Sequence, residues 1–204
     1  MIGIFGGTFN PIHNGHLQLA RQVLEALALD EVHFLPCANP VHRGAPNVSG
    51  DDRLKLIKLA IAAEHSFIAN TLELDRGGPS FMVDTLREVR DKIGNESICL
   101  MLGADAFNGI QGWKQSDEIL NLAHLVVCQR PEIELNRDIY RDHWVQSVDY
   151  LNQKNHGYVL PLTINQSNCS STIIREQLLA AEPTTQCLPP AVFEYIVNHH
   201  LYEN

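Results

Sequence analysis

The residues able to do chemistry in this 204-residue chain gather near its two ends. Near the start runs GGTFNPIHNGH, Gly6 to His16. Gly6 and Gly7 carry no Cβ, so backbone there can come close to a ligand. Pro11 lacks an N–H and stiffens the turn. His13 and His16 stand three apart at a predicted helix start, so both rings can face one way. A helix start leaves N–H groups unpaired and carries the positive end of the dipole. Together these make an anion site, and phosphate is its usual occupant. Near the other end runs NCSSTIIR, Asn168 to Arg175. Ser171 and Thr172 bring hydroxyls and N–H groups to a second helix start, and Arg175 can fork onto phosphate oxygens. Taken singly, the stretches read equally as a tight turn and a Ser-capped helix. Taken together they read as two anion sites. Neither a Walker A loop nor a G-x-G-x-x-G fingerprint is present at the first site.

Regular elements must carry these groups. Ile2, Ile4 and Phe5 predict a buried strand, and Leu17, Ala20, Val23, Leu24 and Leu27 predict a helix that ends near Leu29. Val32–Pro36 predicts a second strand. The loop from Cys37 to Ser49, with His42-Arg43, is long for a strand–helix connection, and such loops are often functional. A helix is expected over Asp51–Ala63 and a strand region over Phe67–Leu74. Ser80 reads as the N-cap of a helix reaching Ile93. Ser97–Leu102 predicts a buried strand ending in Gly103-Ala104-Asp105. A carboxylate there can accept ribose hydroxyls or cap a helix. Trp113, between turns, is either a stacking platform or a hydrophobic plug. Leu125–Cys128 predicts another strand, leaving through Arg130-Pro131. Glu132–Asn155 reads as a surface helix and loops, and Tyr158–Ile164 as the last strand. Pro189-Pro190 opens a final helix, with His199 and His200 near its C-terminal end. This alternation predicts an α/β fold: a Rossmann-like doubly wound parallel sheet with helices on both faces and nucleotide at the strands' carboxyl ends. One domain over 1–204 is expected, its C-terminal helical part starting at about 166.

Composition narrows the function. A net charge of −9, from 15 basic and 24 acidic residues, argues against general binding to nucleic acid. It leaves room for a nucleotide held by local N–H groups and a few cations. No stretch is long and apolar enough to span a membrane, and the start does not read as a signal peptide. The five cysteines, Cys37, Cys99, Cys128, Cys169 and Cys187, form no C-x-x-C pair. They read as reduced, mostly core thiols of a cytoplasmic protein. His199-His200 lack a Cys or carboxylate at ligand spacing, so no protein metal site is expected.

The Gly6–His16 stretch resembles the phosphate-binding HxGH signature of the nucleotidyltransferase superfamily. Its GG[ST]FDPIHxGH form is that of the bacterial nicotinate mononucleotide adenylyltransferases, with Asn10 where many members have Asp. Cys169–Arg175 resembles that family's I-S-[ST]-T-x-I-R. Ser80–Leu86 (SFMVDTL) is similar to S-Y-x-x-x-T-L, Asn39–Arg43 to a PPHK or PPHR segment, and Gly103–Asp105 and Arg130-Pro131 to further family positions. Trp113 stands where members place a Trp, but Lys114 follows where Tyr is usual. The resemblance covers essentially the whole chain, in order.

It implies transfer of the adenylyl group of ATP to nicotinate mononucleotide, giving deamido-NAD and pyrophosphate. It implies His13, His16 and Arg175 as catalytic groups. It places Gly6, Gly7, Thr8, Phe9, His16, Gly103, Asp105, Ser171, Thr172 and Arg175 on ATP, and His42, Arg43, Thr85 and Trp113 on the acceptor. Mg²⁺ is implied, bound mainly through ATP phosphates. The partners implied are the two nucleotides, with neither nucleic acid nor membrane, and a homo-oligomer is left open. Three alternatives stand beside this reading: another acceptor (nicotinamide mononucleotide or phosphopantetheine), a nucleotide-binding regulator without turnover, and a class I tRNA synthetase fragment.

Overall fold

The first strand sets the plan of the sheet. In the computed structural model, which describes residues 1–40, 46–129, 133–165, 167–180, 182 and 186–203, β1 spans Ile2–Gly7. α1 follows over Asn14–Leu27, then β2 (Glu31–Pro36), β3 (Asn39–Pro40) and α2 (Gly50–Ala60). The chain continues through β4 (Phe67–Ala69), α3 (Leu72–Arg76), β5 (Pro79–Ser80) and α4 (Met82–Ile93). Next come β6 (Ile98–Gly103), α5 (Ala104–Asn108), α6 (Ser116–Leu122), β7 (His124–Gln129) and β8 (Val159–Thr163). α7 (Ser171–Leu179) and α8 (Pro190–Asn198) end the regular structure.

Six strands form one parallel sheet in the order β4-β2-β1-β6-β7-β8, and β3 pairs with β5 outside it. Both faces are covered, as near-continuous apolar strands require. Ile98, Leu100 and Leu102 of β6 pack with Val83, Leu86 and Val89 of α4 on one face. Cys99 and Met101 point to the other, which holds Leu17, Ala20 and Val23 of α1, Leu56 and Ile57 of α2, and Val192 and Ile196 of α8. The predicted doubly wound α/β architecture is therefore observed.

Several local expectations are corrected. The strand region expected over Phe67–Leu74 ends at Ala69, because Asn70 Oδ1 accepts the Leu72 N–H at 3.0 Å and turns the chain into α3. Ser80 is not a helix cap: it lies in β5, and its hydroxyl accepts the Ala38 N–H at 2.9 Å. α4 starts at Met82 instead. No α-helix forms among the described residues of 132–155, only two short 3₁₀ turns. Leu135, Ile139, Val145 and Leu151 bury there at spacings that make no single helical face. The segment lies along β8, where the Val145 N–H reaches the Val159 carbonyl at 3.0 Å. Nor are all five cysteines thiols: Cys169 and Cys187 are joined, while Cys37, Cys99 and Cys128 are free and buried. No described helix is long and apolar enough to cross a membrane.

His124, fully buried at the start of β7, links this edge. Its Nε2 meets the Lys154 carbonyl at 3.0 Å, and its Nδ1 accepts the Tyr158 N–H at 3.2 Å. Burial lowers its pKa, more than the Lys154 carbonyl raises it. The unfolded chain therefore binds a proton that the folded chain refuses. The neutral ring's stabilising share is complete above about pH 6.5 and is lost as pH falls below it, at about 1.4 kcal/mol per pH unit for one proton. Thermal melts from pH 7.5 to 5 should show this decline. His124→Gln should lower the melting temperature at pH 7.5 yet flatten its dependence on pH. An unchanged slope would remove His124 as its source.

Candidate active site

The site begins where β1 parts from a neighbour. β1 pairs with β2 along its whole length but with β6 only over Ile2–Ile4. Beyond Ile4 and Leu100 the two strands part: Phe5–Gly7 stay paired with β2 and Met101–Gly103 with β7, which opens the sheet at the position where the strand order reverses. Open parallel sheets bind ligands at such a point.

The loop leaving β1 is held by donors from distant elements. Arg175 Nη1 donates to the Asn10 carbonyl at 2.8 Å, and Ser171 Oγ donates to the Pro11 carbonyl at 2.9 Å. Arg53, on α2, donates to the Thr8 carbonyl and, from its other terminal nitrogen, to the Cys37 carbonyl, both at 2.8 Å. Phe9 sits in the left-handed region at φ 46°, where a bulky residue is strained. Its buried ring, packed by Phe5, Phe34 and His16 at 5.5, 5.8 and 5.1 Å, holds it there. The Asn10–Pro11 peptide bond is cis. A Cβ on Gly15 would stand 3.0 Å from both the His13 ring and Ser167 Oγ, so glycine allows the two motifs to meet.

His13 is the N-cap of α1, and its N–H donates to His16 Nδ1 at 3.2 Å. That bond makes Nδ1 the acceptor, so neutral His16 carries its proton on Nε2. The two rings stack at 3.7 Å. Desolvation first, and the neighbouring His13 second, hold the His16 pKa well below the ordinary value. Before a ligand binds, His16 is thus a neutral N–H donor. Around it, the Asn14 N–H is taken by the Cys187 carbonyl at 2.8 Å and the His16 N–H by His13 at 2.9 Å. The Gly15 N–H alone of these three has no protein partner among the described residues.

These groups line one cleft of about 1350 Å³. Of the expected residues, the structure brings Gly6, Gly7, Thr8, Phe9, His13, His16, Asp105, Trp113, Ser171, Thr172 and Arg175 into its wall. Gly103 ends β6 without lining it. Thr85 does not reach it either: its buried hydroxyl donates to Glu73 Oε1 at 2.7 Å and accepts from Arg76 at 3.0 Å. Its hydroxyl is therefore spent inside the protein. The carboxylate it holds, Glu73, does line the cleft. His42 and Arg43, like Arg130 and Pro131, lie outside the described residues.

Sequence reading missed Arg53, Glu73 and Phe81. Arg53 was hidden because its partners are 45 and 16 residues away. Phe81 gave a signal in SFMVDTL that was spent on Ser80. It lines the cleft beneath Lys114, whose ammonium lies 4.6 Å from the ring centre and pairs with Asp84 at 2.8 Å. Cys37 also lines the cleft, but burial pushes its thiol up, so it is no nucleophile near neutral pH.

A family model described as cytidylyltransferase-like matches residues 4–177. A probable nicotinate-nucleotide adenylyltransferase of Hydrogenovibrio crunogenus is 40% identical over 208 residues, covering 100% of this chain and 98% of its own. One from Methylococcus capsulatus is 41% identical, with 99% of each chain covered. The chain belongs to this nucleotidyltransferase family. Among solved structures, nicotinic acid mononucleotide adenylyltransferase of Plasmodium falciparum, complexed with NaAD, superposes at a TM-score of 0.77. It is 15% identical and covers 98% of this chain and 96% of its own, a likeness of fold.

Arg175 uses Nη1 on two carbonyls, those of Asn10 and Ser171, which leaves Nε and most of Nη2 able to meet an anion. Arg175→Lys keeps the charge and loses the fork. Charge-assisted bonds contribute about 1.5–3 kcal/mol each. ATP affinity measured by calorimetry should therefore fall by roughly 10-fold or more, with the circular dichroism spectrum unchanged. Affinity equal to the wild type would leave Arg175 as a loop strut only.

Proposed function

We infer that the chain transfers the adenylyl group of ATP to nicotinate mononucleotide, releasing pyrophosphate and forming deamido-NAD in NAD biosynthesis. One observation carries this reading: Arg175 and Ser171 close on the loop between β1 and α1, so two anion-binding motifs from opposite ends of the chain face one cleft that also holds Trp113. The family membership and the names of the relatives support the choice of reaction.

The attacking atom is a phosphate oxygen of the acceptor, already ionised near pH 7. It forms a bond to the α-phosphorus of ATP as the bond to the bridging oxygen breaks. No protein nucleophile is needed, and the work is positioning and charge stabilisation. On this reading His16 donates its Nε2–H to an α-phosphate oxygen, and His13 and the Gly15 N–H contact neighbouring phosphate oxygens. Thr8, Ser171, Thr172 and Arg175 hold the β and γ phosphates. Asp105 accepts ribose hydroxyls, Phe9 backs His16, and Trp113 stacks on the acceptor's ring.

A divalent cation, Mg²⁺, fits through the phosphates rather than through the protein. No group of three or more His, Cys, Asp or Glu side chains able to hold a metal occurs among the described residues. Mg²⁺ on nucleotides keeps most of its ligands as water and phosphate oxygen. Its chemistry here is to neutralise charge on the leaving pyrophosphate. We read the chain as one domain working in the cytoplasm, with the two nucleotides as its partners.

Three experiments test the reading. His16→Ala should lower kcat by about 100-fold or more with a smaller change in KM for ATP, as for one lost preorganised donor. A near-normal kcat would take His16 off the catalytic list. Pyrophosphate release with Mg²⁺ and ATP should favour nicotinate mononucleotide over nicotinamide mononucleotide by about 100-fold in kcat/KM. N–H donors that suit a carboxylate meet the amide's NH₂ donor to donor, and each unpaired polar group costs about 1–3 kcal/mol. Trp113→Ala should weaken the acceptor and spare ATP binding. Equal turnover of the nicotinamide form would sink the acceptor assignment and leave adenylyl transfer standing.

A further inference from the structure

We propose that Arg53 is a positioning residue for the phosphate loop and that its charge, unmatched by the protein, is balanced by the phosphates of the bound nucleotide. The proposal rests on the nucleotide reading of the cleft, and its test separates the two.

Arg53 lies one turn into α2, a helix started by Ser49, whose hydroxyl accepts the Asp52 N–H at 3.1 Å. The residue is 1% exposed, the largest fully buried side chain described. Its two terminal nitrogens join the loop after β1 to the exit of β2, through the carbonyls of Thr8 and Cys37. Both of those residues line the cleft. Its Nε has no partner among the described residues. A guanidinium does not lose its proton in a protein, so the charge persists.

Burying such a charge costs several kcal/mol unless an opposite charge meets it. The nearby carboxylates keep their charge but make their hydrogen bonds elsewhere, and none of those described forms an ion pair with Arg53. Asp52 takes the hydroxyls of Ser49 at 2.7 Å and Tyr195 at 3.1 Å. Glu73 takes the Thr85 hydroxyl. No carboxylate lies within ion-pair distance of Arg53 among the described residues. Two carbonyl dipoles meet the guanidinium only in part. Arg175 grips the same loop two residues on, and buried Tyr202 lies within the fields of both cations and of the Asp52 carboxylate. The loop is thus backed by two guanidinium groups, and a polyphosphate is the anion that the nucleotide reading brings to its other side.

The distinguishing readout is dependence on phosphate charge. Calorimetry would compare ATP with AMP on wild type, Arg53→Met and Arg53→Lys. The methionine fills similar space without charge or donors. We expect Arg53→Met to weaken ATP at least 10-fold and AMP less than threefold, and Arg53→Lys to fall between wild type and Arg53→Met. A merely structural role would weaken both nucleotides by the same factor. That outcome, or unchanged ATP affinity, overturns the proposal. If Arg53→Met gives no cooperative melt, Arg53→Lys carries the test: one carbonyl bond is lost with the charge kept. Its kcat/KM for ATP should then drop about 10-fold with a cooperative melt retained, and wild-type kinetics would overturn the proposal. Failure of the wild type to bind ATP overturns the nucleotide reading and this proposal with it. ATP binding by the wild type with an indifferent Arg53 overturns this proposal alone.

Discussion

A chain leaving a buried parallel strand keeps its carbonyl groups but loses the neighbours that paired them, and buried polar backbone must find partners. Between Thr8 and Pro11 the partners are side chains from α2 and α7. They come from 45, 165 and 160 residues away in sequence. This one requirement explains much of the molecule. It draws the C-terminal motif across to the N-terminal one. It makes Arg175 a structural clasp, beside the anion-donor role proposed for it. It also turns the loop's carbonyls toward protein donors, away from any anion in the cleft. The left-handed Phe9 is kept by the same closure, since aromatic packing on one side and fixed carbonyls on the other over-determine its backbone.

His16 shows how the local electrostatics follow from that geometry. A backbone N–H occupies its Nδ1, and apolar rings crowd it. Both facts favour the neutral imidazole with its proton on Nε2. A neutral donor is cheaper to bury than a cation, so the site can form before any anion arrives. As negative charge grows on a phosphate oxygen nearby, the same N–H bond strengthens without reorganising its surroundings. The depressed pKa is therefore compatible with charge stabilisation and does not require an imidazolium in the resting site.

How far the sequence was legible depended on whether a signal was local. The HxGH stretch and the SSTIIR helix start state their chemistry within one turn of chain, and the structure brings both to one cleft. The doubly wound parallel sheet followed from regular alternation of apolar runs with helical periods, though not the order of its strands. The burial of Thr85 off the cleft wall was not legible, because the motif holding it is local while its hydroxyl's partners, Glu73 and Arg76, belong to α3, an element unseen in the sequence. Arg53 carried no signal, since a cation early in a helix normally reads as solvated and its burial depends on Thr8 and Cys37. The 133–155 segment failed for another reason. Its apolar residues are anchors for irregular chain along β8, and such anchors have no period to detect. Cys169 and Cys187 were equally silent, being 18 residues apart with no pairing motif.

The cleft also shows why an overall charge of −9 does not decide what a protein binds. Two phosphate-bearing substrates that react must bring like charges into contact, and each must be held against that repulsion. Mobile surface lysines would serve poorly, because salt screens them and ordering them costs entropy. The wall toward α7 instead carries fixed elements: Arg175 bound to Asn10, Ser171 bound to Pro11, and the starts of α1 and α7, with Arg53 behind the wall on the Thr8 carbonyl. The wall toward α4 carries a compensated cation, Lys114 paired with Asp84, beside the aromatic rings of Phe81 and Trp113. Charge within the cleft is therefore graded. On the function proposed above, a nucleotide entering with its polyphosphate toward the cations behind that one loop is favoured over the reversed pose before any base is recognised, and the acidic exterior takes no part in that choice.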